Sequence, residues 1–284
     1  MKLSIIIPTF NNLPHLKFFL RSLEKNSNFD HEIVIHVNDG SDGTLDFVKK
    51  NNFKYTHSSE NIGLCSSMNR AYALTTFNHI LYAHDDMYFC ENWDTFLIDE
   101  INTQKNNLFY LSGTNVSTRF GLINFDCGNN IEEFNEEKFS QFCAQDTTPD
   151  LQSSHWAPHL IHRELWDKIK GFSEEFNPGD GSDPDFCMKL WLNNVRIFKG
   201  ISKFKVYHFN SLTTRNNRIK LNNGTKTFLI KYGFNPKYFR KYYLKGNNSI
   251  IPYKGNLETP KFNLMMFIDL LINRLKYYLT KIKS

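Results

Sequence analysis

Asp85 and Asp86 close the apolar run Ile80-Leu81-Tyr82-Ala83. Adjacent carboxylates repel one another and are costly to bring near a protein interior. A chain that delivers such a pair from a buried strand has a use for the charge. Hard oxygen ligands suit Mg2+ or Mn2+, and that cation would in turn hold a phosphate. A solvated strand end is the plain alternative, so the surroundings must decide. Three further groups sit where apolar runs break: Pro8-Thr9, Asp39-Gly40-Ser41 and Asn61-Ile62-Gly63.

The elements that would position these groups can be read from periodicity. Leu3–Ile7 reads as a buried strand, and Leu13, Leu16, Phe19, Leu20 and Leu23 recur at helical spacing. Glu32–Val37, a stretch near Lys54–Thr56 and Ile80–Ala83 read as further strands. Short helices follow from Thr44 and over about 65–75. Strands alternating with helices predict an α/β fold, with a mostly parallel sheet flanked by helices. Ligands in such sheets gather outside the carboxyl ends of the strands, where all four groups fall. Farther on, Glu132–Ala144 has helical spacing, Pro158–His162 suggests a strand, and a helix from Glu164 ends at a Gly171 cap. Residues 179–185 (Gly-Asp-Gly-Ser-Asp-Pro-Asp) read as an acidic turn before an apolar helix over 186–192, and Val206–Phe209 as a late strand.

In order and spacing, Ile5-Ile6-Ile7-Pro8-Thr9-Phe10-Asn11, Asn38-Asp39-Gly40-Ser41-Asp42-Gly43-Thr44, Asn61-Ile62-Gly63, His84-Asp85-Asp86, and Gly171-Phe172 followed by Gly181-Ser182-Asp183-Pro184-Asp185-Phe186 resemble a family 2 glycosyltransferase of GT-A fold across about residues 3–210. The resemblance implies inverting transfer of a sugar from a nucleotide diphosphate, a UDP-sugar by expectation, to a glycan or lipid-linked acceptor in surface polysaccharide or glycoconjugate synthesis. It implies a nucleotide half over about 1–90 and an acceptor and catalytic half over about 91–210. Pro8, Thr9, Asn11, Asp39, Ser41, Asn61 and Gly63 would border the nucleotide, with His84 a further contact. An ordinary strand-ending turn also explains Asp39-Gly40.

Asp85 and Asp86 would share a divalent cation, Mn2+ or Mg2+, with Asp86 favoured as direct ligand and His208 as a third. The family's acidic signature usually begins one acid earlier, where this chain has Ala83. The family's base is the second residue of a Glu-Asp pair. The match is Ser182-Asp183, so Asp183 would take the acceptor proton, with Asp185 and Asp180 as alternatives that turn and capping roles explain equally well. Trp156 and His155 would line the acceptor pocket, and Arg215 and Arg218 would face the diphosphate. A non-catalytic nucleotide-sugar binder and a nucleotidyltransferase are the competing readings.

Charge is unevenly spread. Residues 211–284 hold 15 Lys/Arg against two acids, and residues 1–210 hold 19 against 27. This divides the chain into an acidic body, 1–210, and a basic extension, 211–284. The extension carries an amphipathic helix over about 262–283, read either as lying on the inner face of an anionic membrane or as packed on its own domain. Nucleic acid is not expected as a partner, since no base-reading module accompanies the charge. Five cysteines without a CxxC pair predict reduced thiols and a cytoplasmic setting. The first residues show no cleavage site of a signal peptide, and no apolar run has the length of a membrane span.

Overall fold

The computed structural model describes residues 1–119, 121–209, 222–246 and 250–282, with side chains described as far as Tyr278. The β-branched run Ile5-Ile6-Ile7, fully buried, forms the middle of β1 (Ser4–Phe10). Such a run suits a parallel strand covered on both faces. Helix α1 (Leu13–Asn26) lays Leu16, Phe19, Leu20 and Leu23 against the sheet. The alternation continues through β2 (Glu32–Asn38), α2 (Thr44–Lys50), β3 (Lys54–Ser58), α3 (Leu64–Tyr72) and β4 (His79–Tyr82). β1 pairs in parallel with β2 and β4, and β2 with β3.

Beyond β4 come β5 (Met87–Phe89), α4 (Trp93–Thr103), β6 (Phe109–Ser117), β7 (Ile123–Asn124), α5 (Glu136–Gln145), β8 (Leu151–Gln152), β9 (His159–His162), α6 (Arg163–Ile169), α7 (Ser182–Leu192) and β10 (Ile197–His208). The main sheet runs β3-β2-β1-β4-β9-β6-β10-β5, with β7 on β6 and β8 on β10. β9 is antiparallel to both β4 and β6, while β10 is parallel to β6. The sheet is therefore mixed, with parallel pairing through its first half.

β10 slips register between Ile201 and Lys205. That irregularity kinks the strand, which then pairs antiparallel with β5, His208 opposite Met87. His208 is thereby carried beside Asp86, the residue just before Met87.

One expected loop is partly a helix. The acidic residues Ser182, Asp183, Pro184 and Asp185 form the first turn of α7, capped by Gly181. Pro is at home in a first helical turn, where its missing N–H has no intrahelical partner. Asp183 and Asp185 face the positive end of the helix dipole.

The C-terminal segment shares the core. α8 (Gly224–Tyr232) and α9 (Pro236–Tyr242) bury Phe228, Tyr238 and Phe239 in the same apolar cluster as the sheet. The Gln152 N–H donates to the Ile251 carbonyl and the Leu257 N–H to that of Arg196. A last helix, α10 (Leu264–Ile282), follows. Among the described residues no helix is long and apolar enough to cross a membrane.

Candidate active site

The carboxyl ends of β1, β2 and β4 bring the first three loops together. Thr9, nearly fully buried, donates its hydroxyl to Asp85 at 2.7 Å. The Asn11 amide donates to Asp39 at 2.8 Å and accepts the Gly40 N–H at 2.9 Å. Ser41 donates its hydroxyl to Asp39 at 3.1 Å. The Asn11 bond first, then those of Ser41, hold the Asp39 carboxyl below its ordinary range, so it stays an ionised acceptor at neutral pH. Pro8 lies within β1, opposite His36.

Asn38, which the sequence presents only as part of a turn motif, ties these loops together. Its amide donates to the Thr9 carbonyl at 3.2 Å and the Ser67 hydroxyl at 3.0 Å, and its oxygen accepts the Ile62 N–H at 3.0 Å. Asn61 accepts the Gly63 N–H at 2.9 Å. Gly63 has φ +83°, and a Cβ there would stand 2.5 Å from the Asn177 side chain. Asn177 in turn accepts the Cys65 N–H at 2.9 Å at the start of α3. Glycine is thus required at position 63 by both conformation and space, and Asn177 is a contributor that no sequence signal marks.

Asp85 and Asp86, paired in sequence, point to different partners. Asp85 turns to Thr9, and burial, then the neighbouring Asp86 charge, push its carboxyl up to about 7. Asp86 faces two imidazoles instead. His208 Nε2 lies 3.2 Å and His84 Nδ1 3.9 Å from Asp86 Oδ1. One ligand atom each from His84, Asp86 and His208 falls within 4.8 Å of the others. His84, expected against the nucleotide, therefore joins the group, and Asp85, expected to share the cation, lies outside it.

Two imidazoles and a carboxylate form a donor set that fits a transition-metal dication, which accepts nitrogen as well as oxygen, better than Mg2+, which is held through oxygen. Burial, then the nearby His208, lower His84 to about 4, leaving it neutral with a lone pair to give. Its Nε2 lies 2.6 Å from the Tyr82 hydroxyl, the kind of outer partner that fixes a ligand's tautomer. Burial lowers His208, but the Asp86 charge and hydrogen bond and the Asp85 charge outweigh it, and its net shift is upward.

Asp183 is half-buried at the start of α7, and burial raises its carboxyl to about 7. Among the described residues no side-chain donor meets it. Tyr82, fully buried beside His84, has its phenol pushed far up by burial first and then by the Asp183, Cys65, Asp86 and Asp85 charges.

Asp185 proves to be a different kind of residue. Fully buried, it accepts from Ser173 at 2.6 Å and Tyr232 at 2.7 Å, and pairs with Lys231 at 2.8 Å. It ties α8 to α7 and has no oxygen open to a substrate. Tyr232→Phe should cost about 1–2 kcal/mol in denaturant unfolding, because a buried carboxylate loses a donor; unchanged stability would remove Asp185 from this role. Asp180 accepts the Gly224 N–H at 2.8 Å and is likewise a tie between loops. Trp156 is pinned to the sheet, its indole N–H donating to the Gly113 carbonyl at 2.8 Å, and His155 Nδ1 lies 2.8 Å from the Ser153 carbonyl. Arg215 and Arg218 lie outside the described residues.

The mixed sheet, with its loops gathered at the carboxyl ends of β1, β2 and β4 and a His/Asp group suited to a cation beside them, is a fold of the GT-A glycosyltransferase type. The family model described as "Glycosyl transferase family 2" matches residues 4–201. The chain belongs to glycosyl transferase family 2. No curated protein matches it in sequence.

Solved structures with a similar fold include S. aureus TarS 1–349 in complex with UDP-GlcNAc, at 19% identity and TM-score 0.52, covering 74% of this chain and 61% of that one. GalNAc-T7 with UDP, GalNAc and Mn2+ is similar at 13% identity and TM-score 0.58, with coverage of 81% and 47%. The mannosyltransferase PcManGT from Pyrobaculum calidifontis, in complex with GDP-Man and Mn2+, matches at 13% identity and TM-score 0.52, covering 84% and 61%. The chain therefore spans about half to three fifths of the length of these proteins.

Proposed function

We propose that this protein is an inverting glycosyltransferase that moves a sugar from a nucleoside diphosphate donor, with UDP-sugars foremost, to a hydroxyl of a glycan or lipid-linked acceptor. It would serve surface polysaccharide or glycoconjugate synthesis in the cytoplasm, peripheral to the inner face of the membrane. The observation that carries this reading is the His84–Asp86–His208 group, set at the carboxyl end of β4 beside the Thr9–Asp85 hydrogen bond of the first loops. Similar folds holding UDP-GlcNAc, UDP with GalNAc, or GDP-Man, the last two with Mn2+, support it.

In this reading Asp39, held ionised by Asn11 and Ser41, accepts hydrogen bonds from the base or ribose, and Pro8, Thr9, Asn61 and Gly63 border the nucleotide. His84, Asp86 and His208 hold the cation, Mn2+ in preference to Mg2+. When bound, that cation neutralises the charge that builds on the departing diphosphate. Asp183 takes the proton of the acceptor hydroxyl as its oxygen bonds to the anomeric carbon. The bond from that carbon to the diphosphate breaks on the opposite face, which inverts the centre. A carboxylate near 7 is well matched to this task, since a stronger acid would be a weaker proton acceptor.

A panel of nucleoside diphosphates, scanned by thermal shift with and without Mn2+, tests the donor side. At least one should stabilise the protein by about 2–4 kcal/mol at a hundred- to thousandfold excess over its Kd, and only with Mn2+. A protein unmoved by every nucleotide would overturn the assignment. Ala83 and Ser182, each standing where the family carries an acid, favour as a second reading a relative that binds the donor without transferring it.

A further inference from the structure

α10 has two sides of opposite character. With successive residues turned by about 100°, Met266, Leu270, Asn273 and Tyr277 share one side, with Asp269 at its border. That side is docked. The Tyr238 hydroxyl donates to the Met266 carbonyl at 3.4 Å, and Asp269 accepts from Lys241 and Tyr242, each at 2.7 Å. Asn273 accepts the Asn235 N–H at 2.9 Å. The opposite side holds Leu264, Ile268, Leu271, Ile272, Leu275 and Tyr278, exposed to between 46% and 74%.

A surface helix ordinarily buries its apolar side and shows water its polar one. α10 departs from this: Met266 and Leu270 dock together with Asp269 and Asn273, while Leu264, Leu271 and Leu275 face out. Arg274 and Lys276, both exposed, fall at the two borders of the outward arc. The surrounding segment, residues 222–278, holds ten Lys/Arg against two acids, and one of those acids, Asp269, is paired with Lys241. A second copy laid on this face would bring like charges together, whereas an anionic surface would neutralise them.

We propose that the outward face of α10 is a docking surface for an anionic lipid bilayer. The helix lies in the interface plane, its leucines in the acyl boundary and Arg274 and Lys276 reaching back to the headgroups. Because Met266, Asp269 and Asn273 fasten the opposite side to α9, the lipid contact also fixes how the body meets the membrane. This deepens the reading of the protein as peripheral to a membrane and names the surface responsible, but the binding itself requires no turnover.

Flotation of the full chain with vesicles tests it. Binding to phosphatidylcholine containing about one third phosphatidylglycerol should exceed binding to phosphatidylcholine alone by about tenfold, and about 1 M salt should remove most of that excess. Leu271→Glu with Leu275→Glu, both on the exposed face, should leave the melting temperature unchanged and lower binding by about tenfold or more. Arg274→Gln with Lys276→Gln should lower only the anionic preference. Failure to float with anionic vesicles would overturn the proposal, as would a glutamate pair that floats like the wild type. A dimer that the glutamate pair dissociates, without any vesicle binding, would assign the face to a second copy instead. Asp183→Asn should float like the unaltered protein, so loss of the catalytic reading and loss of this one are separate results.

Discussion

Asp183→Asn is expected to lower sugar transfer by about 10³-fold and at the same time to make the protein more stable. The first effect is the loss of a general base, whose contribution is typically about 10²–10⁴-fold. The second follows from burial. The folded Asp183 carboxyl titrates near 7 against an ordinary 3.8. The folded state therefore holds a proton between those values that the unfolded state gives up, and stability from this group is lost as pH rises from about 4 to 7. Asparagine removes the buried charge. At pH 8 the variant should gain on the order of 1–2 kcal/mol, or about 2–4 °C in melting temperature, and the gain should fade towards pH 4.

Activity should follow the same titration. Below pH 7 the unaltered enzyme should lose about tenfold per pH unit as Asp183 takes up its proton. A variant that is inactive and also less stable would mark Asp183 as a structural carboxylate like Asp185.

Asp86→Ala should abolish the response to metal. Asp86 is the only carboxylate of the three-residue group, and its loss leaves two imidazoles with no anion between them. Mn2+ affinity should fall by about 100-fold or more, and nucleotide binding should lose its dependence on Mn2+. Calorimetric titration with Mn2+ alone reads this without any donor or acceptor. Asp85→Asn is the paired control: Asp85 is turned to Thr9, and the amide oxygen can still accept from that hydroxyl. Its Mn2+ affinity should stay within about threefold of the original. Were Asp85→Asn the damaging change and Asp86→Ala the mild one, the assignment of the two neighbours would be reversed.

The first half of the fold was readable because buried parallel strands are written as unbroken apolar runs. Ile5-Ile6-Ile7 and Ile80-Leu81-Tyr82 carry no other plausible reading, and their loops follow from where the runs end. In the middle the helix at Glu136–Gln145 and the strand at His159–His162 were readable, but β6 was not, for a related reason. β6 carries Ser112, Thr114 and Asn115, polar residues whose hydrogen bonds go to groups distant in sequence. Thr114 donates to the Ile201 carbonyl at 2.9 Å and Asn115 to that of Ala157 at 2.9 Å. No local pattern reveals a strand whose polar side chains are answered that way.

At the site, residue types were legible and directions were not. Gly, Ser, Asp and Pro serve equally as turn residues and as the opening of a helix, so the first turn of α7 looked like a loop. Spacing alone likewise cannot tell which of two adjacent carboxylates faces a distant histidine. The register slip in β10 settles that, by setting His208 beside Asp86 rather than Asp85.

The most direct test of the central claim is release of nucleoside diphosphate from a panel of nucleotide sugars, with acceptor hydroxyls supplied as simple glycosides, comparing the unaltered protein with Asp183→Asn. The account predicts release that requires Mn2+, stops on chelation and is lost in the variant. Release by both proteins alike would contradict Asp183 as the base. Metal-dependent nucleotide binding with no release from either would contradict transfer itself and leave a donor-binding protein.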